Sequence, residues 1–297
     1  MPNLKNIKVR IKSIKSTQKI TQAMKLVAAS KVRKAQQRVL NSRPYTQKVT
    51  SFLLRAAAAI SDFDKKEIPL MEKRGVKSIG IIVITSDRGL CGSYNANIVK
   101  KAAKRVLDLE KSNVTPKLIL IGNKANNFFR RARVTILESF TQLPSVPTVE
   151  IANLIASCAE SAFINKTVDQ VEIIGTDFIS MLRSTTYVKH FLPIQAEQES
   201  EQTSQSIKPM LSSSILFEPS LEVVLASLIP LYLSNILYHA LLEANCSELA
   251  SRMNAMSSAT KNAKELIEKL TIVYNKARQA GITQELTEIV GGVEALK

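Results

Sequence analysis

The feature that most constrains this chain is an apolar stripe of period seven near its N-terminus. Residues 3–43 contain neither proline nor glycine, and their apolar and small side chains recur at spacings of three and four, which places them on one helix face. This first stripe comprises Leu4, Ile7, Ile11, Ile14, Gln18, Thr21, Lys25, Ala28, Val32, Ala35 and Val39. A helix over residues 3–60 would be about 85 Å long. Because that is too long for an ordinary globular domain, we expect a partner along its length.

A second stripe near the other end of the sequence is the expected partner. Between residues 221 and 296 the only proline is Pro230. The second stripe comprises Leu249, Arg252, Met256, Ala259, Ala263, Leu266, Leu270, Val273, Ala277 and Ala280. The two helices are predicted to pair as an antiparallel coiled coil, because whatever folds between them must return the chain. Alanine at several positions of both stripes allows the helix axes to approach closely and predicts a thin shaft.

Between the two helices the pattern changes to short apolar runs that are typical of buried strands. These runs occupy residues 76–85, 117–121, 134–137 and 171–175, with residues 185–192 as a weaker candidate. Helical patterns at about residues 95–110, 123–131 and 148–165 separate the first four runs. Strands that alternate with helices predict an α/β domain with a mostly parallel sheet, inserted between the two long helices.

The sequence divides into four expected segments. They are an N-terminal coiled-coil helix (1–60), an α/β domain (61–193), a polar Gln-, Glu- and Ser-rich loop (194–219) and a C-terminal coiled-coil helix (220–297).

Within the C-terminal helix, residues 223–242 carry no full charge and have the length of a membrane span. Pro230, Ser234 and His239 interrupt this run, and no lysine or arginine flanks it to orient it in a membrane. We therefore expect a buried helix and no direct membrane insertion.

The net charge of +16 belongs almost entirely to the first segment. Residues 1–60 hold fourteen Lys and Arg and no Asp or Glu, whereas the rest of the chain holds 27 basic and 25 acidic residues. A solvated face usually carries charges of both signs, so a segment with basic residues alone indicates an anionic partner. Nucleic acid, an acidic membrane surface and an acidic protein sleeve are three such partners. Aromatic residues are absent from residues 1–44 and the apolar stripe requires a protein partner, yet composition alone leaves all three open.

The sharpest local motif, Ser86–Ser93, follows a predicted strand and precedes a predicted helix, which is where α/β folds bind phosphate. It lacks both the GxGxxG and the GxxxxGK[ST] pattern. A tight turn that uses glycine for backbone freedom is therefore favoured over a phosphate site. Cys91 lies in this motif without a local base, so an inert thiol is favoured over a nucleophile.

No other set of residues indicates chemistry. The three cysteines and two histidines have no metal-ligand spacing. Glu285 and Glu288 lie three apart on a predicted helix, as on a solvated face. We expect no catalytic residue, no metal and no cofactor.

Five segments resemble, in order along the chain, the gamma subunit of F-type ATP synthases. They are Ser16–Lys31 (STQKITQAMKLVAASK), Ser86–Gly92 (SDRGLCG), Phe217–Pro219 (FEP), Glu248–Met256 (ELASRMNAM) and Tyr274–Gly292 (YNKARQAGITQELTEIVGG). The resemblance implies the non-catalytic rotor subunit of the central stalk, whose coiled coil lies inside a ring of alternating alpha and beta subunits and whose Rossmann-like domain lies near the membrane. Such a subunit couples ion-driven rotation of the membrane ring to ATP synthesis or hydrolysis.

The resemblance also implies partners and contacts. The implied partners are the alpha and beta subunits, the epsilon (delta-type) stalk subunit and the membrane ring of c subunits, with no nucleic acid. The family's contacts to beta fall on Lys25, Arg252, Arg278, Gln279, Thr283 and Glu285, and its contacts to the ring and epsilon fall on Phe217 and Glu218. For each residue, coiled-coil packing or solvation is the alternative.

The implied location is peripheral, on the cytoplasmic face of the bacterial plasma (inner) membrane, because no presequence precedes the start of the family pattern. An organellar inner or thylakoid membrane is the alternative. Chloroplast and cyanobacterial members carry an insertion before the segment that contacts the ring and epsilon, and in plants this insertion holds a redox-switched cysteine pair. Residues 194–216 are 23 residues without cysteine, so we expect no thiol regulation of the plant kind.

Overall fold

The structure, a computed structural model, describes residues 4–59, 68–194 and 221–294. Two long helices are joined through an α/β domain, and a short 3₁₀ turn at Pro69–Met71 precedes the first strand. In chain order the elements are α1 (Leu4–Ala59), β1 (Ser78–Ile84), α2 (Tyr94–Lys111), β2 (Thr115–Ile121), α3 (Asn123–Phe129), β3 (Thr135–Phe140), α4 (Val149–Ile164), β4 (Gln170–Phe178), β5 (Ser184–Leu192) and α5 (Leu221–Glu294).

The five strands form one sheet in the order β3-β2-β1-β4-β5. The first four strands are parallel, and β5 pairs antiparallel with β4 at one edge. The predicted fold class, an α/β domain with a mostly parallel sheet between long helices, is confirmed. The run at residues 185–192 was the weakest strand candidate because it is the edge strand, where side chains are half exposed and the apolar signal is diluted.

Alternation along β1 divides the core between the two faces of the sheet. Ile82 and Ile84 contribute to a core that includes α4 and the first part of α5. Ile81 and Val83 contribute to the opposite core, with α2 and α3. Since both faces are covered, the central strands read in sequence as continuously apolar runs.

The chain divides into two compact units. One contains residues 1–30 and 252–297, which are the ends of α1 and α5. The other contains residues 31–251, and in it the two helices pack together through Val32, Val39 and Leu249, with Phe178 of β4 in the same cluster. The expected segment boundaries at residues 60, 193 and 219 fall at or next to gaps between the described residues, and they stay predictions.

The uncharged start of α5 packs into the core of the second unit. Leu225, Ile229, Leu233 and Leu237 recur every four residues on one face and are buried. By length and composition alone, one described helix, Val223–Gly292, is sufficient to cross a membrane. Its buried apolar stripe contributes part of the hydropathy of residues 223–242, whereas Val223 and Leu231 in the same run are 55% and 50% exposed.

Gly122, between β2 and α3, tests how closely the backbone segments approach each other at this end of the sheet. Its φ is +89°, and a Cβ atom added there would lie 2.3 Å from the carbonyl oxygen of Thr85. We predict that Gly122→Ala lowers the free energy of unfolding by at least about 2 kcal/mol, because backbone strain adds to the clash. Urea unfolding of the purified chain, followed by circular dichroism, measures this.

The matched control is Gly75→Ala, since a Cβ atom at Gly75 would meet nothing within 4 Å. Equal stability of the two variants would contradict the geometry described at Gly122.

Candidate partner-binding site

The first unit is a two-helix shaft built from the first turns of α1 and the last turns of α5. Every α1 residue of the first stripe in this unit is buried or half-buried, with Thr21 and Ala28 the most enclosed. The Thr260 hydroxyl donates to the Thr21 hydroxyl at 2.9 Å, and Thr21 donates on to the Gln18 carbonyl at 3.0 Å. This polar link fixes which residues of the two helices face each other, as a polar residue at a core position of a coiled coil does.

One of the two rows of the second stripe was predicted one residue out of phase beyond Ala263. Leu266 and Val273 are 43% and 48% exposed, and Ala280 is exposed as well. The half-buried positions of this row are Ile267, Tyr274 and Gly281, whereas Leu270 and Ala277 of the other row are half-buried as predicted. The predicted and observed rows both repeat every seven residues, so spacing alone did not distinguish them.

Basic side chains cover the exposed face of α1 in this unit. They are Lys5, Lys8, Arg10, Lys12, Lys15 and Lys19, all of which are exposed. No acidic residue lies on α1 to offset them. The shaft therefore presents a positive face along one of its two helices.

An open groove of about 350 Å³ lies beside this positive face. Five residues of α1 and one of α5 line the groove: Gln18, Lys19, Gln22, Ala23 and Leu26 from α1, and Thr260 from α5. Leu26 is 61% exposed. The lining thus combines the apolar side chains of Ala23 and Leu26 with polar groups and the cation of Lys19.

The end of α5 carries an exposed apolar face. Ile282, Leu286, Ile289 and Val290 are between 49% and 66% exposed, and their spacings place them on one side of the helix. Because Thr21 pairs with Thr260, Leu4 lies beside about residue 277 in an antiparallel pair. This part of α5 therefore runs on beyond the described start of α1.

The predicted contact residues occupy two kinds of position. Lys25 and Arg252 are half-buried members of the two stripes. The other four predicted contact residues of α5 are exposed: Arg278, Gln279, Thr283 and Glu285. The helical repeat places them on the same side of α5 as the four exposed apolar residues at its end. Residues 278–290 thus form one mixed face of apolar and polar side chains. The sequence analysis did not recognise this face, although its apolar residues recur at i, i+4 and i+7 outside the second stripe and could have indicated it. Phe217 and Glu218 lie outside the described residues.

The Ser86–Ser93 motif is a loop organised by one carboxylate. Asp87 accepts hydrogen bonds from the backbone N–H groups of Asn123, Gln142 and Leu143 at 2.8, 3.2 and 3.0 Å. These donors follow β2 and β3, at the sheet edge where a phosphate would bind in a nucleotide-binding fold. An internal anion thus occupies them, which favours the structural interpretation of the motif.

Cys91, in the same motif, is enclosed by the fold and hydrogen-bonded. Its side chain is buried, and the Asn95 amide donates to its sulfur at 3.0 Å. Within the described ranges, no group of three or more His, Cys, Asp or Glu side chains is placed to hold a metal ion.

Comparison with known proteins identifies the family. A family model described as ATP synthase matches residues 3–296. The ATP synthase gamma chain of Trichormus variabilis is 43% identical over 316 aligned residues, with all of both chains covered, and that of Nostoc sp. is 42% identical over 315. The chain belongs to the ATP synthase gamma chain family. The resemblance noted in five sequence segments is therefore confirmed over the full length.

Solved structures of ATP synthases share this gamma-chain fold. A chain from the central stalk/c-ring structure of the Tetrahymena thermophila mitochondrial enzyme is 28% identical, with a TM-score of 0.59, and the match covers 81% of this chain and 99% of that one. A chain of the Euglena gracilis mitochondrial enzyme is 18% identical, with a TM-score of 0.69 over 99% of this chain and 94% of that one. The second likeness shows the fold alone.

Two neighbouring residues of α5 test the phase of the coiled coil. We predict that Ile267→Ala lowers the free energy of unfolding by about 1–2 kcal/mol, because it removes a half-buried side chain from the helix seam. Leu266→Ala, the matched control, should change it by less than about 0.5 kcal/mol. Urea unfolding of both variants measures the difference, and a larger loss for Leu266→Ala would restore the phase predicted from sequence.

Proposed function

We propose that this chain is the central-stalk rotor subunit of an F-type ATP synthase and has no catalytic site of its own. In this role it couples ion-driven rotation of the membrane ring to ATP synthesis or hydrolysis at the alpha–beta sites. The observation that carries the proposal is the shaft, a two-helix rod with a positive side and an exposed mixed face at its end. Membership of the gamma chain family supports it.

The proposed partners follow from the chemistry of each surface. The positive face of α1 suits acidic loops of the beta subunits, with Lys25 and Arg252 as the contacts nearest the helix seam. The mixed face, with Arg278, Gln279, Thr283 and Glu285, offers both apolar and polar groups, and we assign it to the inside of the alpha–beta ring. Phe217 and Glu218 are proposed to contact the c ring and the epsilon subunit.

The proposed mechanism is mechanical. The shaft is asymmetric, since basic residues crowd α1 while α5 carries both signs of charge over residues 261–288. Identical beta subunits around it therefore meet different surfaces and adopt different nucleotide affinities. Rotation moves each beta subunit through these states in turn, and a paired coiled coil is stiff enough to carry the torque.

The proposed location is peripheral, on the cytoplasmic face of a bacterial plasma membrane or the equivalent face of an organellar inner or thylakoid membrane. The curated relatives are gamma chains of cyanobacteria such as Trichormus and Nostoc. Residues 194–216, where thiol regulation of the plant kind would reside, lie almost wholly outside the described residues, and the absence of such regulation stays a prediction.

Co-purification tests the proposed function. The tagged chain should recover alpha and beta subunits together with ATPase activity that the purified chain lacks. Cysteine substituted for Lys25 or Arg252 should react with a water-soluble maleimide in the free chain and be protected in the assembled complex. Recovery of the chain without these subunits or this activity would refute the assignment.

Charge reversal tests the mixed face. We predict that Arg278→Glu weakens binding to the alpha–beta ring about tenfold, because it puts a carboxylate where the proposed contact has a cation. Lys269→Glu makes the same charge change at an exposed residue of α5 outside the mixed face, and should have less than about a twofold effect. Fluorescence titration of the labelled chain with the ring measures both, and equal effects would exclude a specific contact at Arg278.

A further inference from the structure

A network of charged and polar side chains lies in the second unit, where the two long helices meet the sheet. It joins four elements, and none of its members belongs to the contacts proposed above. The members are Ser42 and Arg43 of α1, Asp177 of β4, Lys189 of β5, and His239 and Glu243 of α5.

Glu243 is the centre of this network. Its carboxylate side chain is 9% exposed, and one oxygen lies 3.4 Å from Nη2 of Arg43 and 3.3 Å from Nε2 of His239. The Asp177 side chain lies beside it. Burial acts to raise the pKa of Glu243, but the surrounding side chains, chiefly His239 through its hydrogen bond, hold this pKa below its usual range. Glu243 therefore faces side chains of α1, α5 and β4 together.

Asp177 extends the network to the edge strand. Lys189 donates to its carboxylate at 2.8 Å, and the Lys189 ammonium lies 4.0 Å from the centre of the Tyr187 ring. Burial raises the pKa of Asp177, and the neighbouring Glu243 carboxylate raises it further. Asp177 is therefore paired with Lys189 of β5 and lies beside Glu243 of α5.

His239 ties the two long helices to each other. Its Nδ1 lies 2.8 Å from the Ser42 hydroxyl, which in turn lies 2.9 Å from the Val39 carbonyl oxygen. Its Nε2 lies 3.3 Å from the Glu243 carboxylate. Both ring nitrogens of His239 therefore have a partner, one on α1 and one on α5.

Apolar packing alone would hold these elements less specifically. The apolar cluster here consists of side chains such as Val39, Phe178, Leu242 and Cys246, which attract without a preferred direction. Hydrogen-bonded ion pairs require particular distances and angles. Buried ion pairs add little net stability, and fixing one register is their best-attested role.

We propose that this network is a torsional lock, which fixes α1 and α5 to the β4–β5 strand pair so that torque passes between the coiled coil and the sheet without slippage. The inference rests on the proposed rotor function and deepens it. Glu243 is its central positioning residue.

A buried ion pair elsewhere in the same domain provides the matched control. Arg105 of α2 donates to both oxygens of Glu172 on β4, at 2.8 and 2.6 Å, and the Glu172 side chain is 7% exposed. Glu172 and Glu243 are thus equally buried carboxylates paired with arginine. Glu172, however, links a helix of the α/β domain to the sheet and does not contact the coiled coil.

The experiment measures torsional stiffness in the assembled complex. The catalytic ring is fixed to a surface without nucleotide, and a bead is attached through cysteine substituted for the exposed Ser112, with Cys158→Ser in the background. The angular variance of the bead is inversely related to rotor stiffness. We expect Glu243→Gln to increase this variance by about twofold, since the neutral amide loses the charge-assisted contacts to Arg43 and His239, and Glu172→Gln to leave it unchanged.

Two further measurements keep the test decisive. Lys189→Met removes a 58% exposed partner with little risk to folding, and should give a smaller increase in variance. Before each recording, rotation of the wild-type complex on added ATP confirms the rotor function, so that its failure is distinguished from failure of the lock. Equal variance in wild type, Glu243→Gln and Lys189→Met, or an equal increase for Glu172→Gln, would overturn the inference.

Discussion

The seam between α1 and α5 is the contact on which the rest of the structure depends. Each helix carries an apolar stripe that would face water if the helix stood alone, and burial of this face against the other helix stabilises both. Small side chains such as Ala28, Ala35 and Ala263 are buried along it, which lets the helices approach closely, and the Thr21–Thr260 hydrogen bond fixes their register. Every proposed function of the chain uses the rod that this seam creates.

The α/β domain has the architecture of a nucleotide-binding fold, but a carboxylate lies at the edge where such folds hold phosphate. Asp87 accepts hydrogen bonds from the backbone N–H groups that follow β2 and β3, which favours a structural role for the loop motif. The domain instead has a mechanical role in our account. Its antiparallel edge, β4 and β5, contacts the long helices through an apolar cluster around Phe178 and through the charged network around Glu243.

Much of this structure was predictable because it depends on local periodicity. The first stripe, the four parallel strands and the helices between them follow from spacing and burial, and the family followed from five short segments. The phase of α5 beyond Ala263 was not predictable, since Leu266 and Ile267 are both apolar and only packing against α1 separates them. The charged network was also missed, because Asp177 and Glu243 are distant in sequence and an isolated buried acid gives no pattern.

Direct observation of rotation tests the central claim that this chain is the rotating shaft. A gold rod attached to the α/β domain, with the alpha–beta ring fixed to glass, should turn in one direction on added ATP and pause three times per turn, once for each beta subunit. ATP hydrolysis by the fixed complex without any rotation of this chain would contradict the account.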